Sequence, residues 1–257
     1  MLDALIVLHD GPALAVPLLA FDTSTELMAL GACGPAGAFS LTAVGGAAAS
    51  ATLLPQAMRL LARAGLSLHD LRAVAFGNGP GAFTGLRTAC AVAQGLGLGL
   101  ALPLLPLDSL LVVAEDARLQ RAGPDGAADP AAFEVVVAMD ARMNEVYVGR
   151  YRWQCQLDWQ VLQPPQLCAL STLAQHWAVA PPPVLAGSAR AAFGTRLPAP
   201  HNTICVQQEN NRGAALLHLA ARGWAAGQAV DAALALPLYG RDKVAQTTLE
   251  RQQARTP

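Results

Sequence analysis

The sequence predicts an α/β protein of two related lobes, and three observations carry that expectation. A β-type run ends in aspartate and turns back on itself, LLAFDTSTELMALG at 18–31. The same pattern returns without gaps as VVAMDARMNEVYVG at 136–149. In both stretches two apolar residues lead to Ala-x-Asp, and a glycine stands nine positions after the aspartate (Asp22 to Gly31, Asp140 to Gly149). Between the copies, apolar strand-like runs alternate with segments of helical period, as α/β proteins require. An internal duplication explains all three: two lobes, each opening with a hairpin whose first strand ends in aspartate.

Taken in order, the elements are these. Leu18–Asp22 and Leu27–Cys33 read as a hairpin around the polar turn TSTE, and Ala38–Val44 as a third strand. Leu53–Ala64 has helical spacing, with Leu53, Ala57, Leu60, Leu61 and Ala64 on one face, and Gly65 closes it. LRAVAFG is a strand, GNGPGAFTGLR a glycine-rich loop, and Thr84–Gly99 a helix. LPLLPLD is a short strand ending at Asp108, and residues 121–130 form a turn-rich link. The region 153–205 holds Pro-rich links around a helix near Ser171–Val179 and a strand near VLAG. Asn211–Ala226 reads as a helix, and a polar, mildly basic tail follows. These boundaries divide the chain into a 1–16 extension, lobes at 17–112 and 113–238, and a tail at 239–257.

Composition narrows the function classes. Of 257 residues 53% are apolar and 14% charged, against a usual charged share of about 25%. The formal net charge is −1 and Lys243 is the only lysine, so no basic stripe exists for strong nucleic-acid binding. The five cysteines form no CxxC and the five histidines no HxxxH or HExxH, which argues for free thiols in the cytoplasm and against a metal site. The N-terminal apolar run lacks a basic flank and is broken at His9–Pro12, unlike a signal peptide. Residues 88–107 are uncharged and of spanning length, but Gln94, three glycines, Pro103 and Pro106 favour a buried helix and strand over a bilayer span.

Two places look able to hold a phosphate. The loop Gly79–Arg87 follows a strand and opens a helix, but it is no Walker A loop, and Pro80 removes one backbone donor. It fits a relaxed dinucleotide pattern, Gly77-x-Gly79-x-x-Ala82, with Asp108 some 26 residues beyond Ala82 where roughly 20 is usual. The turn Asp22-Thr23-Ser24-Thr25 offers a carboxylate and hydroxyls; an ordinary Asx or Ser/Thr turn explains it equally. Its repeat counterpart carries Arg142 and Met143 where a second phosphate turn needs glycines. The helix behind the loop steps Gly85, Ala89, Ala93, Gly97 and, in parallel, Ala91, Gly95, Gly99. Each interior glycine costs about 1 kcal/mol relative to alanine, so a backbone must approach closely there. The loop is therefore either an anion cradle or the tight turn that launches a packing helix.

Together LLAFDTSTE, the run from Leu53 to Leu110 and DARMNEVYVGRY resemble the bacterial tRNA threonylcarbamoyladenosine biosynthesis TsaB family. The family's GPGSFTGLR appears as Gly79-Pro80-Gly81-Ala82-Phe83-Thr84-Gly85-Leu86-Arg87, with alanine for serine. The likeness covers 17 to about 151 well and 152–235 loosely; LPLYGRDKVA resembles the family's ending, and residues 1–16 look like an extension or a misplaced start. The resemblance implies an actin/Hsp70/sugar-kinase (ASKHA)-like fold of two ribonuclease-H-like lobes, the second degenerate, with mixed sheets flanked by helices. It implies a non-catalytic dimerisation and scaffold subunit that pairs with TsaD and is joined by TsaE. TsaD transfers the threonylcarbamoyl group to the adenosine beside the anticodon, and its HxxxH metal motif has no match here. The expected partner face is Leu53, Leu54, Ala57, Leu61, Gly85, Ala89, Ala93 and Gly97; isolated, the chain could form a homodimer. Phosphate or nucleotide contacts are expected at Asp22, Thr23, Ser24, Thr25, Gly79, Gly81, Thr84 and Arg87. No catalytic residue, metal or tightly bound cofactor is expected; ATP or ADP belongs at the partner interface, tRNA contact is indirect, and no membrane is involved. The competing readings are an active ASKHA-type ATPase or kinase using Asp22 and the 79–87 loop, and an NAD-type Rossmann enzyme, which an antiparallel Leu18–Asp22/Leu27–Cys33 pair would count against.

Overall fold

The computed structural model describes residues 16–122, 131–197, 202–206 and 210–241, with the backbone of 4–8. Most of the 121–130 link, the tail beyond Arg241 and much of the 1–16 extension lie outside the described residues.

The first sheet comprises β1 (Ala4–Leu8), β2 (Leu18–Asp22), β3 (Leu27–Gly34), β4 (Gly37–Val44), β5 (Ala73–Gly79) and β6 (Leu104–Asp108), in the order β1-β4-β3-β2-β5-β6. β2, β3 and β4 form an antiparallel meander, with Leu18 opposite Cys33 and Asp22 opposite Ala29. β5 and β6 then add in parallel beside β2. An antiparallel hairpin at this position is incompatible with an all-parallel Rossmann sheet. Part of the 1–16 stretch serves as the sheet's edge, β1 pairing antiparallel with β4.

The second sheet repeats the plan. β7 (Ala132–Asp140), β8 (Glu145–Gln154) and β9 (Asp158–Ala169) form the meander, and β10 (Val184–Ala186) and β11 (Ile204–Cys205) add in parallel beside β7. The helices correspond as well. α1 (Ala49–Arg63), α2 (Phe83–Leu100) and α3 (Ser109–Ala122) occupy the places that α4 (Leu170–Val179), α5 (Ala189–Phe193) and α6 (Arg212–Ala225) take in the second copy. The second copy is worn down: α5 has 5 residues against 18 in α2, and β11 has 2 against 5 in β6.

The central strands of each sheet are buried on both faces. Leu19, Phe21, Leu30 and Phe76 pack under α1 and α2, while Leu18, Ala20, Ala73 and Ala75 pack under α6 and α3. Strand period 2 produces that division from one continuous apolar run. In the second lobe Val135, Val137 and Met139 meet α3, and Val136 and Ala138 meet α4. α6, drawn from the 113–238 stretch that the sequence assigns to the second lobe, lies on the first sheet through its Leu216 and Leu217, which pack with Leu18, Ala20 and Ala29. Gly31 and Gly213 allow that approach, since a Cβ on Gly31 would meet the Gly213 carbonyl oxygen at 2.6 Å.

β1, α3, β9, α5 and β11 escape the sequence reading, and two of them have a clear physical reason. β9 carries Pro164–Pro165 in a stretch read as links; it is an edge strand, where a missing N–H costs no ladder bond. α3 buries Glu115, Asp116 and Arg118 beside its apolar residues, so no polar face marks it as a helix.

Candidate functional site

The two aspartate-ended strands point their turns at each other across a cleft of about 670 Å³ between the lobes. Ser24, Thr25 and Glu26 supply one wall, and Asp140–Met143 the facing one. Gly81–Phe83, Ser109 and Leu110 come from the ends of β5 and β6, and Tyr239–Arg241 from the tail. Such a volume suits a small ligand.

The expected phosphate contacts behave differently from one another. Ser24, Thr25 and Gly81 do line the cleft. Asp22, Thr23 and Gly79 are enclosed by the chain, and Thr84 and Arg87 are exposed outside the cleft lining. The two loops read as phosphate cradles close on each other instead. Ala82 N–H donates to the Ser24 carbonyl at 2.8 Å, and Thr23 Oγ1 donates to the Gly85 carbonyl at 2.7 Å. Ser24 N–H turns back onto Asp22 Oδ1 at 2.5 Å. The glycines follow from this closure: a Cβ would overlap the Asp22 carboxylate at Gly77, meet Ser24 Cβ at 2.6 Å at Gly81, and overlap the Thr23 carbonyl at Gly85. The Asp22 carboxylate keeps one buried oxygen, Oδ2, with no partner among the described residues.

Arg87 is engaged as well. Its guanidinium lies 3.8 Å from the Phe83 ring centre, and its Nε donates to Tyr239 Oη at 3.1 Å. The facing turn is strained: Arg142, Met143 and Asn144 all take left-handed φ, between 55° and 61°. Asp140 Oδ1 accepts from Arg142 N–H at 2.8 Å, and Arg142 reaches Glu26 across the mouth at 2.9 Å. The turn thus takes, with non-glycine residues, the left-handed backbone that glycines were expected to supply.

Asp108 closes β6 and bonds within the protein. Its Oδ1 caps α3 through Leu110 N–H at 2.8 Å, and Tyr151 Oη of the second lobe donates to Oδ2 at 2.7 Å. Burial pushes its carboxyl up to about 6 against the pull of those donors, and the Asp22 charge adds to the rise. Among the described residues, no three metal-ligating side chains gather in one place.

The expected partner face needs correction. Leu53, Ala57, Leu61, Gly85, Ala89, Ala93 and Gly97 are buried inside the chain, under or between α1, α2 and the first sheet. Only Leu54 is exposed. Helical period identifies residues that share a face; it does not say which face meets the sheet. Gly85 and Gly97 belong to the inward stripe, Gly97 admitting Ala232 from the segment after α6. The outward stripe is the second series: Ala91, Gly95 and Gly99 are exposed, and a Cβ on Gly95 or Gly99 would meet nothing. Leu98 on the same helix and Leu54 and Met58 on α1 are exposed as well. The four-residue step was the signal, and it marked two faces rather than one.

No helix among the described residues is long and apolar enough to cross a membrane.

Comparison with known proteins agrees with this architecture. Residues 45–202 match the family model described as TsaD, tRNA N6-adenosine threonylcarbamoyltransferase. The chain is 33% identical to the tRNA threonylcarbamoyladenosine biosynthesis protein TsaB of Haemophilus influenzae, over 58% of this chain and 65% of that one. It is 39% identical to the Escherichia coli TsaB over 39% of each. The matched part thus spans less than two thirds of either relative. Among solved structures, YeaZ from Pseudomonas aeruginosa is 34% identical, with a TM-score of 0.73 over 87% of this chain and 99% of that one. On that family match over more than half of the chain and that likeness to YeaZ over nearly its whole length, the chain belongs to the TsaB (YeaZ) family, within the wider TsaD-type threonylcarbamoyltransferase family.

Proposed function

We propose that this chain is a non-catalytic dimerisation and scaffold subunit in the biosynthesis of N6-threonylcarbamoyladenosine on tRNA. It supports TsaD, which transfers the threonylcarbamoyl group to the adenosine beside the anticodon, and TsaE joins the same assembly in the cytoplasm. The observation that carries this reading is the outward face of α1 and α2. Gly95 and Gly99 each cost a helix about 1 kcal/mol, yet none of the described residues approaches them. With exposed Leu54, Met58 and Leu98 they suit the close approach of another protein's helices. ATP or ADP, where used, belongs at that partner interface, and tRNA is reached through TsaD. The closure of the Asp22 turn onto the glycine loop supports a supporting role over phosphoryl transfer.

Co-expression with the cognate TsaD followed by size-exclusion chromatography tests the reading. A complex is expected, with a homodimer when the chain is alone. Failure to co-elute, with and without nucleotide and TsaE, sinks it.

One observation favours a second reading, an active ASKHA-type ATPase using Asp22 and the 79–87 loop: the unpartnered Asp22 Oδ2. Titration calorimetry with Mg-ATP on the isolated chain separates the two. The scaffold reading expects weak or no heat; micromolar binding supports the ATPase.

A further inference from the structure

The tail does more than end the chain. The chain leading into it runs back along α2 from Ala232, with Gln94 Nε2 donating to the Ala235 carbonyl at 2.9 Å. It then crosses the mouth of the interlobe cleft. Leu238 N–H donates to the Asn78 carbonyl of the first lobe at 2.6 Å. The Tyr239 ring lies 5.0 Å from that of Phe83 and its hydroxyl accepts from Arg87, both in the first lobe. Two residues on, Arg241 is bound wholly to the second lobe. Its Nη2 donates to the Ala141 carbonyl at 3.1 Å and pairs with the Glu145 carboxylate, and Nη1 reaches Met143 Sδ at 3.1 Å.

The sequence makes room for this crossing. A Cβ on Gly79 would meet the Leu238 carbonyl oxygen at 2.5 Å. One on Gly240 would meet Tyr147 Cε1 at 2.7 Å and Pro80 Cβ at 3.0 Å, so this single glycine is wedged between the lobes. The other link across the mouth, Arg142 to Glu26, is 70% and 77% exposed, and such pairs contribute little. Arg241 is 15% exposed and held by two acceptors.

We infer that Leu238–Arg241 is an interlobe clasp: it fixes the opening of the cleft and holds the two lobes as one rigid body. Hinged enzymes of two lobes work by closing on their ligand. A clasp bonded to both lobes opposes that motion, and so converts a hinge into a rigid support. The inference stands apart from the partner assignment, because it concerns lobe motion in the isolated chain.

The test is the distance between spin labels at Ala62→Cys in the first lobe and Val179→Cys in the second, with Cys155, Cys168 and Cys205 replaced by serine. Double electron–electron resonance on this parent is expected to give one narrow distribution. Tyr239→Ala/Arg241→Ala and, separately, Gly240→Leu are expected to add a population displaced by several ångströms. Arg241→Gln cuts only the second-lobe end and carries the test if the double variant does not fold. Unchanged narrow distributions in the folded variants overturn the clasp. Failure to bind TsaD leaves it standing.

Discussion

At the scale of single residues, two glycines on one helix have opposite meanings. Gly85 sits against the Thr23 carbonyl with no space for a methyl group, whereas Gly95 faces open space. Gly85→Ala is expected to lower stability by roughly 1–3 kcal/mol, because overpacking a seam of backbone forces it apart. Gly95→Ala is expected to raise the stability of the isolated chain by about 0.5–1 kcal/mol. Urea melts of both variants check the pair. Asp108 offers a pH-dependent counterpart. Its folded pKa, about 6, lies above the ordinary carboxylate value, so the folded state binds the proton more tightly. Its ionisation therefore reduces stability as pH rises from about 4 through 6. Asparagine keeps the cap through its one carbonyl oxygen, and its Nδ2 donates to Tyr151 Oη with the direction of that bond reversed and no charge buried. Asp108→Asn should melt a few degrees higher than the parent at pH 7.5, with the gap closing toward pH 4.5; a pH-independent gap contradicts this account.

At the scale of elements, what could be read depended on how one-sided each element is. The 18–31 and 136–149 hairpins were legible because an apolar run, an aspartate and a glycine recur at fixed spacing in both copies. α1 and α2 were legible as helices, but their orientation was not. Two small-residue stripes run along α2, and only the tertiary fact that Thr23 lies over Gly85 decides which one turns inward. α3 was missed because its acids and its arginine are buried in a network instead of forming a solvent face. β9 was missed because prolines stand against a strand unless it lies on an edge, and one sequence does not reveal its edges. The cleft was legible only in part. Its turns could be named, but that they fill each other, and that the tail crosses them, depends on contacts across 62 and more residues of sequence. At this scale Leu54→Glu/Met58→Glu places two carboxylates on the exposed face of α1. The melting temperature of the isolated chain should stay within a few degrees of the parent, since both side chains are 42% exposed.

At the scale of the whole molecule, a duplicated plan has been put to unequal use. The first lobe keeps a long α2 with an open outer face, while the second keeps its meander and little of the α5 region. Between them α3 and α6 form a shared spine. Glu115 of α3 is fully buried, bonded to Arg118 at 2.7 and 2.8 Å, to His218 of α6 at 3.2 Å and to Trp159 of β9 at 2.9 Å. Burial alone would raise its pKa; the Arg118 and His218 bonds and charges outweigh that and hold it down at about 2. A depressed carboxylate contributes stability above its ordinary pKa and loses it as pH falls toward the folded value. Glu115→Gln should therefore cost about 3–5 kcal/mol near neutral pH, as breaking a buried pair does. In urea titrations that cost should shrink below about pH 4.

The central claim is that the outward face of α1 and α2 exists for a partner, and one measurement reaches it most directly. The wild-type chain and Leu54→Glu/Met58→Glu are each mixed with the cognate TsaD and passed over a size-exclusion column with light-scattering detection. The account predicts a one-to-one complex for the wild type, and separate peaks for the variant at unchanged melting temperature. A folded variant that co-elutes with TsaD as the wild type does, or a wild type that never co-elutes, contradicts it.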